Sequence, residues 1–432
     1  MHSWGRVYEI VGIGFGPANL ALAIAIEEHN GTAAEGEQVD AVFVERQPKF
    51  SWHRGMLIDG AVMQVSFLKD LATMRNPTSD FGFVSYLYSR GRLADFINHK
   101  ILFPTREEFH DYLSWAAASL GHLVSYGSEA VELRPVAGAG GTQLVDVVCA
   151  DGQILRARNV VLATGLRPTM PAGIELSDRV WHSSELLHRV GELAGARPER
   201  FVVVGAGQSA AEVTEYLHRT FPGAEVCSVF TRYGYSPADD SPYANRIFDP
   251  QAVGEFFAAS GRVKEMLMAY HRNTNYSVVD LDLIQNLYRK AYQEKVRGEQ
   301  RLRMIYASRV TGVTDGPGRV TLDVHHLVDD STTRLDADAV VFATGYAPSD
   351  LRPILGELDA HCRRDADDLL MVDRDYRVHT TDAVGCGIYL QGGTEHSHGI
   401  SSSLLSNVAV RAGEIFESIR SGRERTTLLR TA

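Results

Sequence analysis

Residues 12–19 read Gly-Ile-Gly-Phe-Gly-Pro-Ala-Asn, and residues 205–211 read Gly-Ala-Gly-Gln-Ser-Ala-Ala. Each run follows a short apolar stretch, at 7–11 and 201–204, and leads into a segment suited to a helix. In such a strand–turn–helix unit the glycines let the backbone approach a pyrophosphate, and the helix directs its first amides at that anion. The two runs therefore predict two dinucleotide sites, and two nucleotides in one chain usually exchange electrons.

The residues after the next strand of each unit distinguish the two nucleotides. Glu45 ends the apolar run 41–44, where a carboxylate can accept hydrogen bonds from a ribose with free hydroxyls, as in FAD or NAD. Arg232 follows the run 226–230, where a guanidinium suits the 2′-phosphate of NADPH. The alternative for Arg232 is a solvated surface arginine. The sequence thus predicts FAD at the first site and NADPH at the second.

Two near copies of one segment connect the halves of the chain. Residues 159–165 and 338–346 both run from a hydrophobic strand into Ala-Thr-Gly, and in flavoproteins with two dinucleotides such strands close each nucleotide domain. We therefore expect an α/β fold with two Rossmann-like dinucleotide-binding domains and a small helical substrate-binding insert. The expected bounds are 1–165 for the FAD-binding domain, completed by 350–432; 166–238 for the NADPH-binding domain, completed by 300–349; and 239–299 for the insert. A helix is expected from Leu404 to Ile419.

Composition excludes several classes of protein. The 432 residues are 44% hydrophobic and carry a formal charge of −11, which disfavours nucleic acid or an anionic membrane surface as a partner. Four separated cysteines without a CxxC pair disfavour zinc, disulfide frameworks and a disulfide reductase. No apolar run reaches the roughly 18 residues that span a bilayer, so we expect a cytoplasmic protein. His396 and His398 lack partners in the sequence for a metal site, and no metal is expected.

Further motifs follow one another nearly from end to end. They are the first glycine run, Trp52-His53, 63–71 (MQVSFLKDL), 239–245 (DDSPYAN), 273–280 (NTNYSVVD), 343–346 (ATGY) and 398–406 (HGISSSLLS). Together they resemble the flavin-dependent N-hydroxylating monooxygenases, and within these the bacterial L-ornithine N5-monooxygenases of siderophore biosynthesis.

The resemblance assigns residues to each ligand. FAD would contact Gly12, Gly14, Gly16, Pro17, Asn19, Glu45, Trp52, His53, Gln64, Arg106, Ser403, Leu404 and Leu405. NADPH would contact Gly205, Gly207, Gln208, Ser209, Ala210, Arg232, Asn275, Tyr276 and Ser277. The substrate would contact Lys69, Asn245, Asn275 and Ser406, because Lys69 can neutralise an α-carboxylate while the others supply neutral donors and acceptors.

Plainer interpretations of these residues stay open. Trp52 can be a core aromatic and His53 a structural histidine, and Arg106 can form a surface ion pair. Residues 275–277 can be a simple connection. Lys69 can pair with Asp70 or lie exposed, and Asn245 can cap the helix that follows Asp249.

The resemblance also implies a reaction. NADPH would reduce FAD, and a C4a-hydroperoxyflavin formed with O2 would hydroxylate the side-chain amine of L-ornithine to N5-hydroxyornithine, for a hydroxamate siderophore or a related natural product. No catalytic side chain is assigned. Lysine N6-hydroxylation or diamine N-hydroxylation is the alternative, since one methylene discriminates by only about 1–3 kcal/mol. An uncoupled NADPH oxidase or a non-catalytic flavoprotein is more remote. The family resemblance suggests a homotetramer.

Overall fold

A computed structural model describes residues 6–138, 141–193 and 195–431, with side chains up to residue 423. Met1 to Gly5 and Ala432, the ends of the predicted FAD-binding domain, lie outside the described residues. The strands are β1 (Val7–Ile13), β2 (Ala41–Glu45), β3 (Val124–Tyr126), β4 (Ala130–Gly138), β5 (Gly141–Cys149), β6 (Ile154–Leu162), β7 (Leu166–Pro168), β8 (Val180–His182), β9 (Arg200–Val204), β10 (Glu225–Val229), β11 (Leu302–Ile305), β12 (Ser308–Asp315), β13 (Val320–His326), β14 (Thr332–Ala337), β15 (Ala339–Phe342), β16 (Tyr346–Pro348) and β17 (Gly387–Leu390).

The helices alternate with these strands and cluster in the segment 244–297. They are α1 (Pro17–Thr32), α2 (Phe83–Ser89), α3 (Leu93–His99), α4 (Arg106–Ser119), α5 (Leu186–Glu192), α6 (Gln208–Thr220), α7 (Pro250–Ala258), α8 (Gly261–His271), α9 (Leu281–Arg297), α10 (Arg352–Leu355), α11 (Glu395–His398) and α12 (Val408–Thr431). In the described part of the chain, no helix is both long and apolar enough to cross a membrane.

The first sheet is built around β1. Its order is β3-β2-β1-β6-β5-β4, with β17 also pairing with β6. β1, β2, β3, β6 and β17 run parallel, whereas β4 and β5 are antiparallel additions. α1 is covered on several sides, since its residues 20–26 are all alanine, leucine or isoleucine and all buried, and it packs against α12. This arrangement brings the first glycine run to the carboxyl end of the sheet.

The second sheet, in the order β11-β10-β9-β15-β8, is parallel throughout. Successive side chains of β9 point to opposite faces. Phe201 and Val203 pack with Val213 of α6, while Val202 packs with Leu322 of the antiparallel sheet β12-β13-β14. Together with the first sheet and the helical segment 244–297, this confirms the predicted α/β fold with two Rossmann-like domains and a helical insert.

The chain crosses between the two sheets through a narrow ribbon. β7 follows the first Ala-Thr-Gly and β16 follows the second, and the two pair antiparallel, with Tyr346 opposite Pro168 and Pro348 opposite Leu166. The two copies of the motif therefore lead into one two-stranded connection.

The predicted helix from Leu404 is wrong at its start, because α12 begins at Val408. Two 3-10 turns, Ile400–Ser403 and Leu405–Asn407, precede it. Arg411 donates from its Nη1 to the carbonyl oxygens of Ser401 (3.3 Å) and Ser402 (2.6 Å). A side chain thus satisfies carbonyls that a continuous helix would have paired with backbone amides.

Candidate active site

A cavity of about 2000 Å³ lies where the two sheets and the helical insert meet. It is lined by residues from all three parts of the molecule. Of the predicted site residues, those that line it are Gly16, Pro17, Trp52, His53, Gln64, Lys69, Arg106, Gln208, Ser209, Asn245, Asn275, Ser403, Leu404, Leu405 and Ser406. The others lie behind or beside its walls, and they are Gly12, Gly14, Asn19, Glu45, Gly205, Gly207, Ala210, Arg232, Tyr276 and Ser277.

The first glycine turn is shaped by close packing. Gly14 has a φ of +83°, and a Cβ there would overlap with the carbonyl oxygen of Ala163 in the first Ala-Thr-Gly. Gly12 has no room for a Cβ because the ring of Phe43 fills that space. Asn19 is fully buried, and its Nδ2 donates to the Gly14 carbonyl oxygen at 2.8 Å. The side chain of Asn19 therefore holds the turn from behind instead of facing the cavity.

The front of this turn fits a dinucleotide. Nothing lies within 4 Å of the position that a Cβ on Gly16 would take, and no side chain caps the N-terminus of α1 there. The Glu45 carboxylate accepts a hydrogen bond from the Phe15 amide at 2.8 Å, beside the same turn. An open space with free helix amides suits a pyrophosphate, and an adjacent carboxylate suits a ribose. These residues can therefore hold FAD.

The second turn repeats the first. Gly205 has a φ of +144°, and a Cβ there would overlap with the Ala343 carbonyl oxygen of the second Ala-Thr-Gly. Gly207 precedes α6 without a side-chain cap, and the Cα of Ser277 would lie 3.5 Å from a Cβ placed on it. The insert thus covers this turn. Ala210 is fully buried against the core of the second sheet, so its side chain does not face the cavity.

Arg232 lies beside this second turn. Its Nη1 donates to the Ser277 carbonyl oxygen at 2.9 Å, and the side chain is exposed. No carboxylate forms an ion pair with it in the described part of the chain. The guanidinium is therefore available to an anion, as a 2′-phosphate contact requires.

Arg106 joins the two nucleotide domains. It makes a bidentate pair with Glu212 of α6 at 2.8 and 3.0 Å and donates to the Met56 carbonyl oxygen. The Arg106 and Glu212 side chains are only 13% and 5% exposed, so this is a buried pair and not the surface pair considered from sequence. Glu212 also accepts from Gln208, which bonds to Asp280 of the insert. The sequence analysis assigned no role to Glu212 or to Asp280, although Asp280 ends the motif 273–280.

Gln64 completes this network from the side of the first domain. Its Nε2 donates to Asp280 Oδ2 at 2.6 Å. Burial raises the pKa of Asp280, and the donors Gln64 and Gln208 counteract that rise. The network thus ties both domains to the insert at the cavity wall.

Aromatic rings form another part of the wall. Trp52 contacts the ring of Phe109 on one side and His53 on the other, at centroid distances of 6.1 and 4.7 Å. His53 faces the cavity with a left-handed φ of +49°, and desolvation together with the Arg106 charge lowers its pKa to about 4. Tyr346 lies 6.0 Å from His53, a contact the sequence did not predict. His53 is thus a neutral ring at physiological pH.

Lys69 is a cation without a carboxylate partner among the described residues. Its neighbour Asp70 is buried and accepts from the amides of Ala72, Thr73 and Phe83, so the alternative of a Lys69–Asp70 pair does not hold. The Lys69 Nζ lies 5.9 Å from the ring centroid of Phe248. Burial lowers the pKa of Lys69, and the charge of Asp249 partly offsets this.

The other predicted substrate residues, Asn245, Asn275 and Ser406, also line the cavity. Asn245 donates from its Nδ2 to the Asp240 carbonyl oxygen at 2.8 Å, so its Oδ1 stays available as an acceptor. It does not cap α7, whose N-cap is Asp249. Ser406 is buried at the cavity wall. Tyr276 donates its hydroxyl to Glu395 instead of facing the cavity.

The described residues contain no group of three or more His, Cys, Asp or Glu side chains placed to hold a metal ion. His396 donates from its Nε2 to the Leu370 carbonyl oxygen, and His398 contacts Ser397 and the Arg374 carbonyl oxygen. Both histidines thus stabilise the loop in which they lie through hydrogen bonds.

Comparison with known proteins places this geometry among flavin enzymes. Residues 6–348 match the family described as L-lysine 6-monooxygenase/L-ornithine 5-monooxygenase. An L-ornithine N(5)-oxygenase of Arthrobotrys oligospora is 39% identical over 96% of this chain and 88% of its own length. The structure of an ornithine N-hydroxylase of Kutzneria sp. 744 with FADred, NADP+ and L-Orn has a TM-score of 0.92 and 48% identity, covering 97% of this chain and 100% of that one. An ornithine hydroxylase of Pseudomonas aeruginosa has a TM-score of 0.90 and 34% identity, covering 96% and 100%.

Proposed function

The chain belongs to the L-lysine 6-monooxygenase/L-ornithine 5-monooxygenase family, and we propose that it hydroxylates the side-chain amine of L-ornithine with FAD, NADPH and O2. The product is N5-hydroxyornithine, for a hydroxamate siderophore or a related natural product. The observation that carries the choice of an amino acid is Lys69, a half-buried cavity cation that forms no ion pair with a carboxylate of the described chain. An α-carboxylate supplies the missing charge.

FAD would be held by the first glycine turn, Glu45 and the segment 403–405, where an uncapped helix and an open space suit it. Reduced by NADPH, FAD supplies the chemistry that activates O2. The chain positions the reactants and excludes water from the cavity that its three parts enclose.

The predicted substrate residues would hold the amino-acid end of ornithine and leave its side-chain amine free to react. Lys69 binds the α-carboxylate, while the Asn245 Oδ1 accepts from the α-ammonium group and Ser406 adds a polar contact. The backbone near Asn275 borders the same space. The side-chain amine must be neutral to react, and its free pKa is near 10.4. Burial of this amine in the cavity would lower its pKa.

NADPH would lie along the second glycine turn, with Arg232 at its 2′-phosphate and Gln208, Ser209 and residues 275–277 beside it.

We also propose the domain bounds expected from the sequence, a homotetrameric assembly and a cytoplasmic location. Light scattering on the purified protein tests the oligomeric state, and cell fractionation tests the location.

One assay tests the function directly. NADPH oxidation and hydroxylamine formation are measured together with ornithine, lysine, putrescine and cadaverine. We expect coupled product formation only with ornithine, because a fixed carboxylate anchor places its amine at the reacting oxygen while the extra methylene of lysine overshoots. Coupled hydroxylation of lysine or a diamine with an equal kcat/KM would contradict the ornithine assignment. NADPH oxidation that yields only peroxide with every amine would contradict the hydroxylase.

A further inference from the structure

The outer face of α9 carries a row of large apolar side chains that are mostly exposed. Tyr288, Tyr292 and Val296 are exposed by 75, 62 and 70%. Their spacing of four residues places them on one side of the helix, in a row about 12 Å long. Single exposed apolar residues are common, whereas a contiguous row of them marks an interaction surface. None of the three lines the cavity, so this row, the outer stripe of α9, is separate from the candidate active site.

The opposite face of α9 already has its partners. Leu287 is buried in one cluster with Ala211 of α6. Glu294 is also buried, and its carboxylate bonds to His218 Nε2 at 2.6 Å and accepts from the Leu302 amide at 2.7 Å. Because α9 is fixed along this inner face, the outer stripe is a rigid surface, and little conformational entropy is lost when a partner binds to it.

The charges of α9 indicate which partner fits the stripe. Asp282 lies in the first turn of the helix, and Lys295 and Arg297 lie in the last turn. All three side chains are exposed, and none of them forms an ion pair within the described part of the chain. A parallel copy of α9 would place like charges side by side. An antiparallel copy would place Asp282 of each helix beside the basic last turn of the other, so the charges are complementary at both ends.

The two tyrosines define the register of such a pair. If a two-fold axis passes level with residue 290, residue 288 of one helix lies opposite residue 292 of the other. Two contacts between Tyr288 and Tyr292 then surround the axis, and Val296 flanks them on each side. Tyrosine is enriched in the buried centres of protein interfaces because its ring is large, rigid and polar only at the tip. The stripe is therefore complementary to itself, as an interface between identical chains requires.

We propose that the outer stripe of α9 is a two-fold interface between two copies of this chain. The inference rests on the homotetrameric assembly of the proposed function, which two-fold interfaces build, and it assigns one of them to a named surface. It does not depend on the substrate or on the reaction.

Light scattering on the full-length holoprotein at matched concentrations tests the interface. Tyr292→Glu should halve the molar mass relative to wild type, because the two-fold axis brings two like charges together in a desolvated contact. Val296→Glu should raise the dissociation constant of the assembly roughly tenfold or more. The matched control is Val328→Glu, in the turn between β13 and β14, since Val328 is 71% exposed. This control should keep the wild-type mass. All three variants should keep FAD, because the substituted side chains are exposed.

Cross-linking tests the antiparallel register without a charged substitution. Tyr288→Cys and Tyr292→Cys chains are co-expressed, and the purified protein is oxidised. Facing Cα atoms would lie about 5–6 Å apart, so this mixture should form a disulfide-linked dimer. Either variant alone should not, because each residue is displaced from its own copy by about 6 Å along the helix axis. None of the four natural cysteines is exposed, and oxidised wild type is the control.

The outcomes separate the interface from the homotetramer. A Tyr292→Glu protein with the wild-type mass would overturn the interface and leave the homotetramer standing, as would an equal loss of mass in Val328→Glu. Cross-linking of Tyr288→Cys to itself, or no cross-link in the co-expressed mixture, would also overturn the antiparallel interface. A monomeric wild type would contradict both the interface and the homotetramer, while the assay with ornithine tests the reaction separately.

Discussion

Lys69 allows a test of substrate binding at the scale of one residue. Because it forms no ion pair within the described chain, its substitution should affect substrate binding and not the fold. Lys69→Ala should keep FAD and still oxidise NADPH, while hydroxylated product falls by an order of magnitude or more, since the loss of a desolvated charged partner costs about 2–5 kcal/mol. Lys49→Ala, at an exposed position, is the control. Flavin loss from the purified Lys69→Ala protein, or unchanged product formation, would show that Lys69 serves the fold.

Arg232 carries a second residue-scale prediction, which concerns the choice of cofactor. Arg232→Ala should raise the KM for NADPH about tenfold or more and leave the KM for NADH nearly unchanged, because a guanidinium gains a charge-assisted contact only with the 2′-phosphate. Steady-state kinetics with both cofactors measure this. An equal loss with NADPH and NADH would mean that the contact with the Ser277 carbonyl oxygen is the main role of Arg232.

At the residue scale, sequence can indicate a site residue where local spacing demands it. The glycines of both turns and Glu45 follow from a strand–turn–helix pattern that a few adjacent residues contain. Asn19 shows the limit, since the same pattern cannot tell a side chain behind the turn from one in front of it. Tyr276 meets Glu395, which lies 119 residues further along the chain, and no local pattern could have indicated that contact.

At the scale of elements, the loop and turns between β17 and α12 bury a histidine that sequence left without a role. His398 is 1% exposed and stacks on Tyr376 at a centroid distance of 4.1 Å. Desolvation is the main cause that lowers its pKa to about 4, and the charges of Arg374, Arg411 and His396 add to it. In the neutral ring, one nitrogen can donate to the Arg374 carbonyl oxygen while the other accepts from Ser397.

This histidine should make stability depend on pH. Between pH 6.5 and 4 the unfolded chain binds a proton that folded His398 does not, so stability falls as the pH is lowered through this range, by about 3 kcal/mol for this group. Above pH 6.5 it contributes no pH dependence. His398→Gln should lose less free energy of unfolding between pH 7 and 4 than wild type, by denaturant titration. His122→Gln, at an exposed histidine, should keep the wild-type slope. Equal slopes for wild type and His398→Gln would contradict the lowered pKa.

The boundaries of helices and strands could be predicted only where they depend on residues close by in the sequence. The helical insert and the parallel strands of both sheets follow from hydrophobic periodicity. The start of α12 did not, because its position depends on Arg411 reaching back to the carbonyl oxygens of Ser401 and Ser402. Apolar periodicity cannot distinguish a helix from 3-10 turns whose carbonyls a distant arginine satisfies.

At the scale of the whole molecule, the Arg106–Glu212 pair could not be predicted from the sequence, because its partners are 106 residues apart and lie in different domains. Glu212→Leu should destabilise the protein by about 3–5 kcal/mol, because it leaves a buried guanidinium without its carboxylate. Arg106→Leu combined with Glu212→Leu should recover much of that loss. Asp40→Asn, in the exposed pair with Arg6, should cost no more than about 1 kcal/mol. Denaturant titration measures the free energy of unfolding of the wild type and these three variants. A Glu212→Leu protein as stable as wild type would contradict the role of the pair.

The ribbon formed by β7 and β16 has a mechanical consequence. The chain passes between the two nucleotide domains twice, but because the two passages are hydrogen-bonded to each other they act as one joint. A narrow two-stranded joint twists more readily than it stretches. Any change in the angle between the two nucleotide domains would therefore pivot at this ribbon, and the contacts of Arg106 and Gln64 at the cavity wall oppose such a change.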